Sequence, residues 1–294
     1  MSGAWTHLRA AMRAAALVGV TAGAALLQFC ALRLSVPLAR VLPRLWHRMC
    51  CSLLAIDVRS HGLPDAAGPV LYVCNHASYL DVPVLGGLID ARFVAKSEVA
   101  RWPVIGALSM LQGTIFVERR PQGARCQPDE LRRALQSGAS LIVFPEGTSS
   151  DGNRVLPFKS TLFAAADAAV DGREVQVRPV TIAYSRHGGM PMGRRLRPCF
   201  AWYGDMTLVR HLWGCLGTGG AGIDVIFHEP VPLSQFASRK DLARHCQAQA
   251  ARGLSDALSG RIAFRPPAGA RASAGRFALP IWPNSAMLET AREI

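Results

Sequence analysis

Several common signatures of function are missing from this chain of 294 residues. It has eight cysteines but no C-x-x-C pair, which argues against a zinc centre or a dithiol redox centre. It has no zinc-finger spacing, no aromatic RNA-binding strand motif and no lysine-rich arm, so we do not expect it to bind nucleic acid. No G-x-S-x-G sequence is present, which disfavours a soluble hydrolase with a nucleophile elbow. Any chemistry must therefore come from other residue types.

Acidic residues are scarce relative to basic ones, with 20 against 33 and a formal net charge of +13. A field of this sign attracts polyanions, and without a nucleic-acid module the expected partners are membrane lipids and acidic ligands. Half of the residues are hydrophobic, which argues against global disorder. Several cysteines lie in apolar runs, where free thiols behave as small hydrophobes, and this suits a reducing compartment.

Residues 14–32 form an uncharged run of 19 residues near the N-terminus. As a helix this run would be about 28 Å long, close to the thickness of a bilayer core. Its alanine and glycine content makes it a weak spanning segment. We predict a retained membrane anchor and leave open a cleaved signal peptide or a soluble helix. The next helical segment mixes apolar residues with arginines, which is typical of a helix lying in the interface or of one packed on the domain.

After residue 55 the pattern changes to short apolar runs separated by helical or loop segments. The predicted strands are 69–74, 91–96, 114–119, 140–145 and 177–184, and the predicted helices are 131–138 and 161–170. This alternation predicts an α/β fold with a mainly parallel central sheet flanked by helices, behind an N-terminal helical membrane anchor. We expect anchoring helices in 1–55, the main domain in 56–262 and a flexible tail, rich in Pro, Ala and Gly, in 263–294.

His76 and Asp81 lie five positions apart, directly after the predicted strand 69–74. In open α/β sheets the chemistry gathers beyond the carboxyl ends of the strands. A neutral imidazole there can take a proton from a hydroxyl, and a carboxylate on its other ring nitrogen fixes the tautomer. The simpler alternative is a helix that begins at Tyr79 with Ser78 as its cap, and an incidental histidine. The spacing alone does not decide between them.

Two further segments follow predicted strands. Arg119 and Arg120 end the segment GTIFVERR, and guanidinium groups clamp phosphate or carboxylate, although a solvated charge pair is the commoner meaning. Glu146 lies in FPEGTSS next to Gly147, where glycine permits a close backbone approach. A carboxylate there could bind substrate hydroxyls, and the alternative is an exposed turn.

Together these segments resemble the lysophospholipid acyltransferase family, which includes bacterial 1-acylglycerol-3-phosphate acyltransferases. That family carries N-H-x4-D, G-x-x-F-x-x-R and F-P-E-G-T motifs, followed by an apolar strand that contains proline. The matching residues here are Asn75, His76 and Asp81; Gly113, Phe116 and Arg119; Phe144, Pro145, Glu146, Gly147 and Thr148; and Pro179. The resemblance spans residues 55–235 approximately. Four blocks in the family's order favour the catalytic interpretation of His76.

The resemblance implies an O-acyltransferase whose domain is residues 56–262. His76 would deprotonate the hydroxyl of a lysolipid while Asp81 orients the imidazole. The alkoxide would then attack the thioester of an acyl carrier protein or of coenzyme A, with neither a metal nor a prosthetic group required. The residues implied in substrate binding are Asn75, Arg119, Glu146, Gly147 and Thr148. The site would open at the bilayer surface, on the cytoplasmic face of the inner membrane.

Two positions depart from the family pattern. Many members that act on lysophosphatidate have arginine after F-P-E-G-T, where this chain has Ser149, and glycine where it has Thr161. Losing that cation weakens the case for a phosphate, although Arg154 or Lys159 could replace it. The leading predicted acceptor is 1-acylglycerol 3-phosphate, and lyso-ornithine lipid, which has no phosphate, is the alternative. A non-catalytic lipid-binding protein on the same scaffold is a further alternative.

Overall fold

Within the residues that the structure describes, a nine-stranded mixed sheet lies between two layers of helices. The structure is a computed structural model that describes residues 3–62, 64, 68–118, 127–170 and 172–262. Its helices are α1 (Gly3–Arg33), α2 (Leu38–Leu53), α3 (Asp81–Leu88), α4 (Ile105–Leu111), α5 (Gln127–Gln136), α6 (Leu208–Thr218) and α7 (Arg239–Leu258). The tail predicted for residues 263–294 lies outside the described residues.

The strands are β1 (Asp57–His61), β2 (Val70–Cys74), β3 (Arg92–Lys96), β4 (Ile115–Val117), β5 (Leu141–Val143), β6 (Ala169–Val170), β7 (Arg173–Glu174), β8 (Gln176–His187), β9 (Met190–Pro191), β10 (Gly222–Phe227) and β11 (Val231–Pro232). The order in the large sheet is β1-β10-β8-β2-β5-β3-β4, with β9 and β11 paired to β8, while β6 and β7 form a separate pair. Strands β8, β2, β5, β3 and β4 are parallel. Strand β10 is antiparallel to β8, and β1 is parallel to β10. The predicted α/β fold with a mainly parallel sheet is confirmed.

Strand β2 occupies the centre of the sheet, and all five of its residues are buried. Alternate side chains point to opposite faces of a strand, so its continuous apolar run serves two cores at once. Tyr72 and Cys74 join the core under α3, whereas Leu71 and Val73 join the core under α5 and α7. Burying one such leucine contributes about 1.5–3 kcal/mol. This double burial fixes the end of β2, where the candidate site begins.

Local structure differs from the sequence prediction in several places. Residues 161–170 were predicted as a helix, but they form a 3₁₀ helix, Ser160–Asp167, followed by β6. The four side chains of residues 163–166 are all buried, so this segment has no exposed face of the kind a surface α-helix needs. Helix α3 begins at Asp81 rather than at Tyr79, and no side chain caps it. The predicted strands did not include β1, β10 or the two-residue strands β6, β7, β9 and β11.

Helix α1 lies along the domain. In its first half Arg13 Nη1 donates to the carbonyl of Leu216 at the end of α6, over 3.0 Å. In its last turns Gln28 Nε2 donates to the carbonyls of Ala39 and Leu111, over 3.0 and 3.2 Å. Among the described helices α1 alone is long and apolar enough to cross a membrane. Its exposed apolar side chains include Trp5, Met12, Val18, Leu26 and Leu27. One face of α1 therefore packs on protein and the other presents apolar side chains.

Candidate active site

His76 and Asp81 meet at the carboxyl end of β2. The Nδ1 atom of His76 lies 2.8 Å from Oδ2 of Asp81. The Asp81 side chain is fully buried, whereas 22% of the His76 side chain is exposed. A carboxylate that accepts from Nδ1 fixes the tautomer in which Nε2 carries the free lone pair. The pair can therefore take a proton from a hydroxyl presented at this edge of the sheet.

Four donors converge on the Asp81 carboxylate. Its Oδ2 atom accepts the backbone N–H groups of Ala77 and Ser78, over 2.8 and 3.0 Å, in addition to His76. Its Oδ1 atom accepts the hydroxyl of Tyr184 over 2.7 Å. Hydrogen bonds to an ionised acceptor are about twice as strong as neutral ones. The loop between β2 and α3 is thus folded around the carboxylate, and the carboxylate cannot rotate away from the imidazole.

The segment after β5 holds His76 from the other side. The ring of Phe144 stacks on the imidazole, with 4.1 Å between ring centroids. Glu146 Oε1 accepts the backbone N–H of His76 over 3.0 Å. The backbone N–H of Ser150 donates to the His76 carbonyl over 2.9 Å. Both backbone polar groups of His76 and one face of its ring are therefore fixed by the F-P-E-G-T loop and the residues that follow it.

Burial raises the pKa of Glu146 to about 8. The negative charge of Asp81 acts in the same direction, while the backbone N–H groups of His76 and Leu156 oppose the shift. At neutral pH the Glu146 carboxyl is therefore largely protonated. Sequence analysis predicted that Glu146 binds substrate, but the residue is 3% exposed and its carboxyl contacts the His76 backbone. This geometry favours a positioning role.

The raised pKa of Glu146 predicts a pH dependence of stability. A carboxyl with a pKa of about 8 in the folded chain and an ordinary value of 4.5 stabilises the fold most below pH 4.5, and this contribution is lost as pH rises towards 8. Glu146→Gln keeps an oxygen for the His76 N–H and cannot ionise. We expect the melting temperature of the variant minus that of the wild type to increase from acid pH up to pH 8. Thermal unfolding across this pH range measures it, and parallel curves for the two proteins would contradict the assignment.

Asn75 was also predicted to bind substrate, but it is 1% exposed. Its Nδ2 atom donates to the Ile182 carbonyl over 3.0 Å, and its Oδ1 atom accepts the Ile182 N–H over 2.8 Å. Both ends of the amide are thus bonded to the backbone of β8. Asn75 joins the end of β2 to its neighbouring strand, and this geometry favours a structural role over substrate contact.

The other predicted binding residues lie on the rim. Gly147 has a φ of +74°, a conformation that glycine adopts without strain, and Thr148 beside it is exposed. Arg154 and Lys159 are both exposed, so their cations can reach a ligand. Arg119 lies outside the described residues. Across the described ranges, no group of three or more His, Cys, Asp or Glu side chains is placed to hold a metal ion.

Sequence reasoning missed Tyr184 and the contacts of Tyr79. Tyr184 ends the predicted strand 177–184, and a hydroxyl at the carboxyl end of a buried strand was the available signal. The Tyr79 hydroxyl lies 3.0 Å from Nδ1 of His211 on α6, and its ring meets Trp202 edge-on. The backbone N–H of Trp202 donates to Ala77. These contacts join the loop between His76 and Asp81 to the helix that packs against α1.

Comparison with known proteins identifies the family. A family model described as Acyltransferase matches residues 56–183. The lyso-ornithine lipid O-acyltransferase of Rhizobium meliloti (strain 1021) is 45% identical over 226 residues, which are 76% of this chain and 77% of that protein. The chain belongs to the lysophospholipid acyltransferase family. The family and the acyltransferase activity predicted from the four motifs are thereby confirmed.

Two other members of this acyltransferase family are informative. The 1-acyl-sn-glycerol-3-phosphate acyltransferase of Neisseria gonorrhoeae is 34% identical over 170 residues, which are 55% of this chain and 61% of that protein. The crystal structure of the 1-acyl-sn-glycerophosphate acyltransferase PlsC from Thermotoga maritima superposes with a TM-score of 0.54 and 24% identity. The superposition covers 75% of this chain and 79% of the PlsC chain, and it supports the α/β fold. The family and the exposed apolar face of α1 together indicate membrane association.

Proposed function

We propose that this acyltransferase moves a fatty acyl group from a thioester to the hydroxyl of lyso-ornithine lipid. The observation that carries the chemistry is the 2.8 Å contact between His76 Nδ1 and the buried Asp81 carboxylate. The contact leaves Nε2 as the base. The donor is an acyl thioester of an acyl carrier protein or of coenzyme A, since a thioester is already activated and the acceptor supplies its own hydroxyl.

The reaction needs one proton carrier. His76 Nε2 takes the hydroxyl proton as the acceptor oxygen forms a bond to the thioester carbonyl carbon. The tetrahedral intermediate then collapses, the carbon–sulfur bond breaks, and the imidazolium returns the proton to the departing thiolate. Asp81 stabilises the imidazolium between these steps and does not exchange a proton. The products are the diacylated lipid and the free thiol of the carrier.

Two observations support lyso-ornithine lipid over 1-acylglycerol 3-phosphate. The relative named for the ornithine acceptor is 45% identical to this chain, against 34% for the relative named for the phosphate acceptor. Ser149 stands where the resemblance leads to arginine in enzymes that act on the phosphate acceptor, and its hydroxyl donates to the Trp202 carbonyl. No cation therefore occupies this position. The proposal reverses the order in which sequence analysis ranked the two acceptors.

The acceptor is tested with purified protein in mixed micelles. Lyso-ornithine lipid and 1-acylglycerol 3-phosphate are supplied separately, each with the acyl carrier protein thioester and with the coenzyme A thioester. We expect the ornithine acceptor to give the higher kcat/KM with at least one donor. Preference for the phosphate acceptor with both donors would overturn the proposed acceptor. The acyltransferase activity itself would stand.

Ser149→Arg should shift the preference towards the phosphate acceptor. A charge-assisted hydrogen bond to phosphate is worth about 1.5–3 kcal/mol, so the ratio of kcat/KM for phosphate over ornithine acceptor should rise about 10- to 100-fold. Ser149→Gln is the matched control, since it loses the bond to the Trp202 carbonyl and adds a long side chain without adding charge. An equal shift in both variants would mean that charge at this position does not set the acceptor.

We also propose where the enzyme works. The outward apolar side chains of α1 and α2 would enter the lipid, as on the cytoplasmic face of an inner membrane, where soluble acyl donors are found. Exposed apolar residues on α2 include Leu38, Val41, Leu45 and Met49. A helix with an apolar face and arginines between the apolar positions is typical of interfacial binding. The lysolipid can then reach His76 from the same membrane surface.

A further inference from the structure

A basic loop follows β8 at the same edge of the sheet as His76. Strand β8 is parallel to β2, so both run towards the edge where chemistry gathers in α/β sheets, and β8 continues to His187, beyond Val180, which pairs with the last residue of β2. After β8 and the short strand β9, residues 192–197 read MGRRLR and contain Arg194, Arg195 and Arg197. The proposed transfer reaction uses none of these three arginines.

Arg197 fixes this loop to the frame of the active site. Its side chain is buried, with 6% exposed. Its Nε atom donates to the Tyr184 carbonyl over 3.1 Å, and its Nη2 atom donates to the Met192 carbonyl over 2.7 Å. Its Nη1 atom donates to Oδ1 of Asn153, which also donates through Nδ2 to the Arg194 carbonyl over 3.4 Å. The loop therefore has a defined conformation.

The loop also lies close to the catalytic segment. A Cβ atom placed on Gly152 would lie 3.5 Å from Cγ of Arg197 and 3.7 Å from Cβ of Ala77, the residue after His76. Gly152 therefore separates Arg197 from the β2–α3 loop by one layer of atoms. Arg194 and Arg195, a few residues earlier in the chain, are placed on the rim of the site rather than on its floor.

The guanidinium groups on this rim make no hydrogen bonds within the part of the chain that the structure describes. Arg154, Arg194 and Arg195 are exposed, and none of their side chains makes a hydrogen bond or ion pair with another described residue. Burial acts to raise the pKa of Asp151, while hydrogen bonds from Asn153 and the charges of Arg154 and Arg194 lower it. Burial lowers the pKa of Arg197, Asp151 acts to raise it and Arg194 to lower it. These arginines and one carboxylate thus share one small region, with Arg195 next to Arg194 in the chain. Because the arginines outnumber the carboxylate, the excess positive charge favours an anion there.

We propose that Arg194 and Arg195 bind the phosphate of the acyl donor's phosphopantetheine arm. This rests on the proposed function, which places the thioester at His76. In both coenzyme A and the acyl carrier protein, a phosphate lies at the far end of the pantetheine arm from the sulfur. The anion site for the donor must therefore lie on the rim, as these arginines do. Guanidinium forks match phosphate geometry and can hold it with two bonds.

Anionic lipid headgroups are the competing ligand for a basic loop. Attraction to headgroups is diffuse and needs no defined loop conformation. Here a buried arginine with three hydrogen-bond partners holds the backbone of the loop. Fixing a loop in its binding conformation lowers the entropic cost of binding one small group. The geometry thus favours the donor phosphate, and the experiment separates the two.

The test compares a charge reversal with a matched control at the other edge of the sheet. The variant is Arg194→Glu with Arg195→Glu. The control is Arg239→Glu with Lys240→Glu, which makes the same change of charge at two exposed positions where α7 begins. The chain enters α7 shortly after β11, which pairs with the amino end of β8. The control positions therefore follow the edge opposite to His76.

Three donors are used with one acceptor: the acyl carrier protein thioester, the coenzyme A thioester and the N-acetylcysteamine thioester, which lacks phosphate. We expect the variant to raise KM for both phosphate-bearing donors about tenfold or more while kcat at saturation stays within about twofold, since charged contacts to the phosphate are lost. The kinetics of the truncated donor should change little, and the control should match the wild type. Keeping the positive charge with Arg194→Lys and Arg195→Lys should give KM values close to those of the wild type.

Binding of free coenzyme A, measured by calorimetry without acceptor, tests the site independently of turnover. A similar loss of affinity in the variant supports the proposal even if the proposed acceptor is wrong. An equal loss of kcat/KM with the N-acetylcysteamine thioester would overturn the proposal, because the substitutions would then have damaged the catalytic centre. Unchanged donor KM with weaker binding to anionic vesicles would also overturn it and assign the loop to headgroups. A KM change with only one of the two natural donors would also overturn the proposal, because the phosphopantetheine phosphate is common to both.

Discussion

Replacing His76 with alanine should lower kcat by about 10²–10⁴-fold, the range that general base catalysis contributes. The imidazole is the group placed to accept the hydroxyl proton, and the buried carboxylate behind it has no other path to the substrate. The remaining side chains of the site, including the Phe144 ring and the Glu146 carboxyl, stay in place. Turnover of lyso-ornithine lipid with saturating donor measures the effect.

His245→Ala serves as the control for His76→Ala, because His245 lies on α7 against the ring of Phe236 and away from the β2–α3 loop. Circular dichroism and vesicle binding should be the same for wild type, variant and control. Turnover of His76→Ala within a few-fold of the wild type would mean that another group is the base, and the proposed mechanism would have to be abandoned.

Asp81→Asn should have an effect of similar size on kcat, about 10²–10⁴-fold, for a different reason. An amide presents only one acceptor oxygen, and its NH₂ group would face either the N–H donors of Ala77 and Ser78 or the hydroxyl of Tyr184. The imidazole loses the carboxylate that fixes its tautomer and stabilises its protonated form. Stability should fall as well, since a buried donor would be left without an acceptor.

Asp90→Asn is the matched control for Asp81→Asn. It removes an aspartate whose side chain is 73% exposed and which pairs with Arg44 over 2.9 Å. Surface ion pairs contribute about 0–1 kcal/mol, so this change should leave both kcat and the melting temperature close to those of the wild type. If Asp81→Asn melts normally and keeps wild-type kcat, the carboxylate does not orient the base.

The strands that carry the site could be predicted because their sequences admit few alternatives. Strand β2 is a short continuous apolar run followed by polar residues, and such a run predicts a buried strand with chemistry at its end. His76 and Asp81 are close in sequence, so the loop between them brings their side chains together with no help from distant residues. The F-P-E-G-T segment follows its strand in the same way.

The distant partners of the site could not be predicted in this way. Tyr184 is 103 positions from Asp81, and the sequence gives no indication that β8 lies beside β2. The same is true of Asn75 and Ile182, which are 107 positions apart. Sequence analysis identified Asn75 and Glu146 by residue type, but it could not reveal that their polar atoms face the backbone. Strand pairing determines which way these polar atoms face, and the pairing depends on the whole sheet.

The N-terminal run shows a second limit of sequence patterns. Its composition predicts a segment that can enter a bilayer, and composition carries no information on what the helix packs against. In the structure Ala10 is fully buried, and Gly217 on α6 leaves no room for a Cβ atom beside Thr6. This packing is made by Thr6, Ala10 and two arginines, Arg9 and Arg13, which donate to carbonyls of α6, and all four residues precede the uncharged run.

The lengthwise attachment of α1 has a geometric consequence for catalysis. Its contacts through Arg13 and Gln28 are separated by roughly 22 Å of helix, and both are made to the body that holds the sheet. A helix attached to the domain at two points this far apart cannot cross a bilayer while the domain stays in water. If its exposed apolar side chains enter the lipid, as proposed above, α1 lies along the membrane surface. His76 is then held at a fixed distance from the lipid surface, and a lysolipid acceptor reaches it by lateral diffusion within its own leaflet.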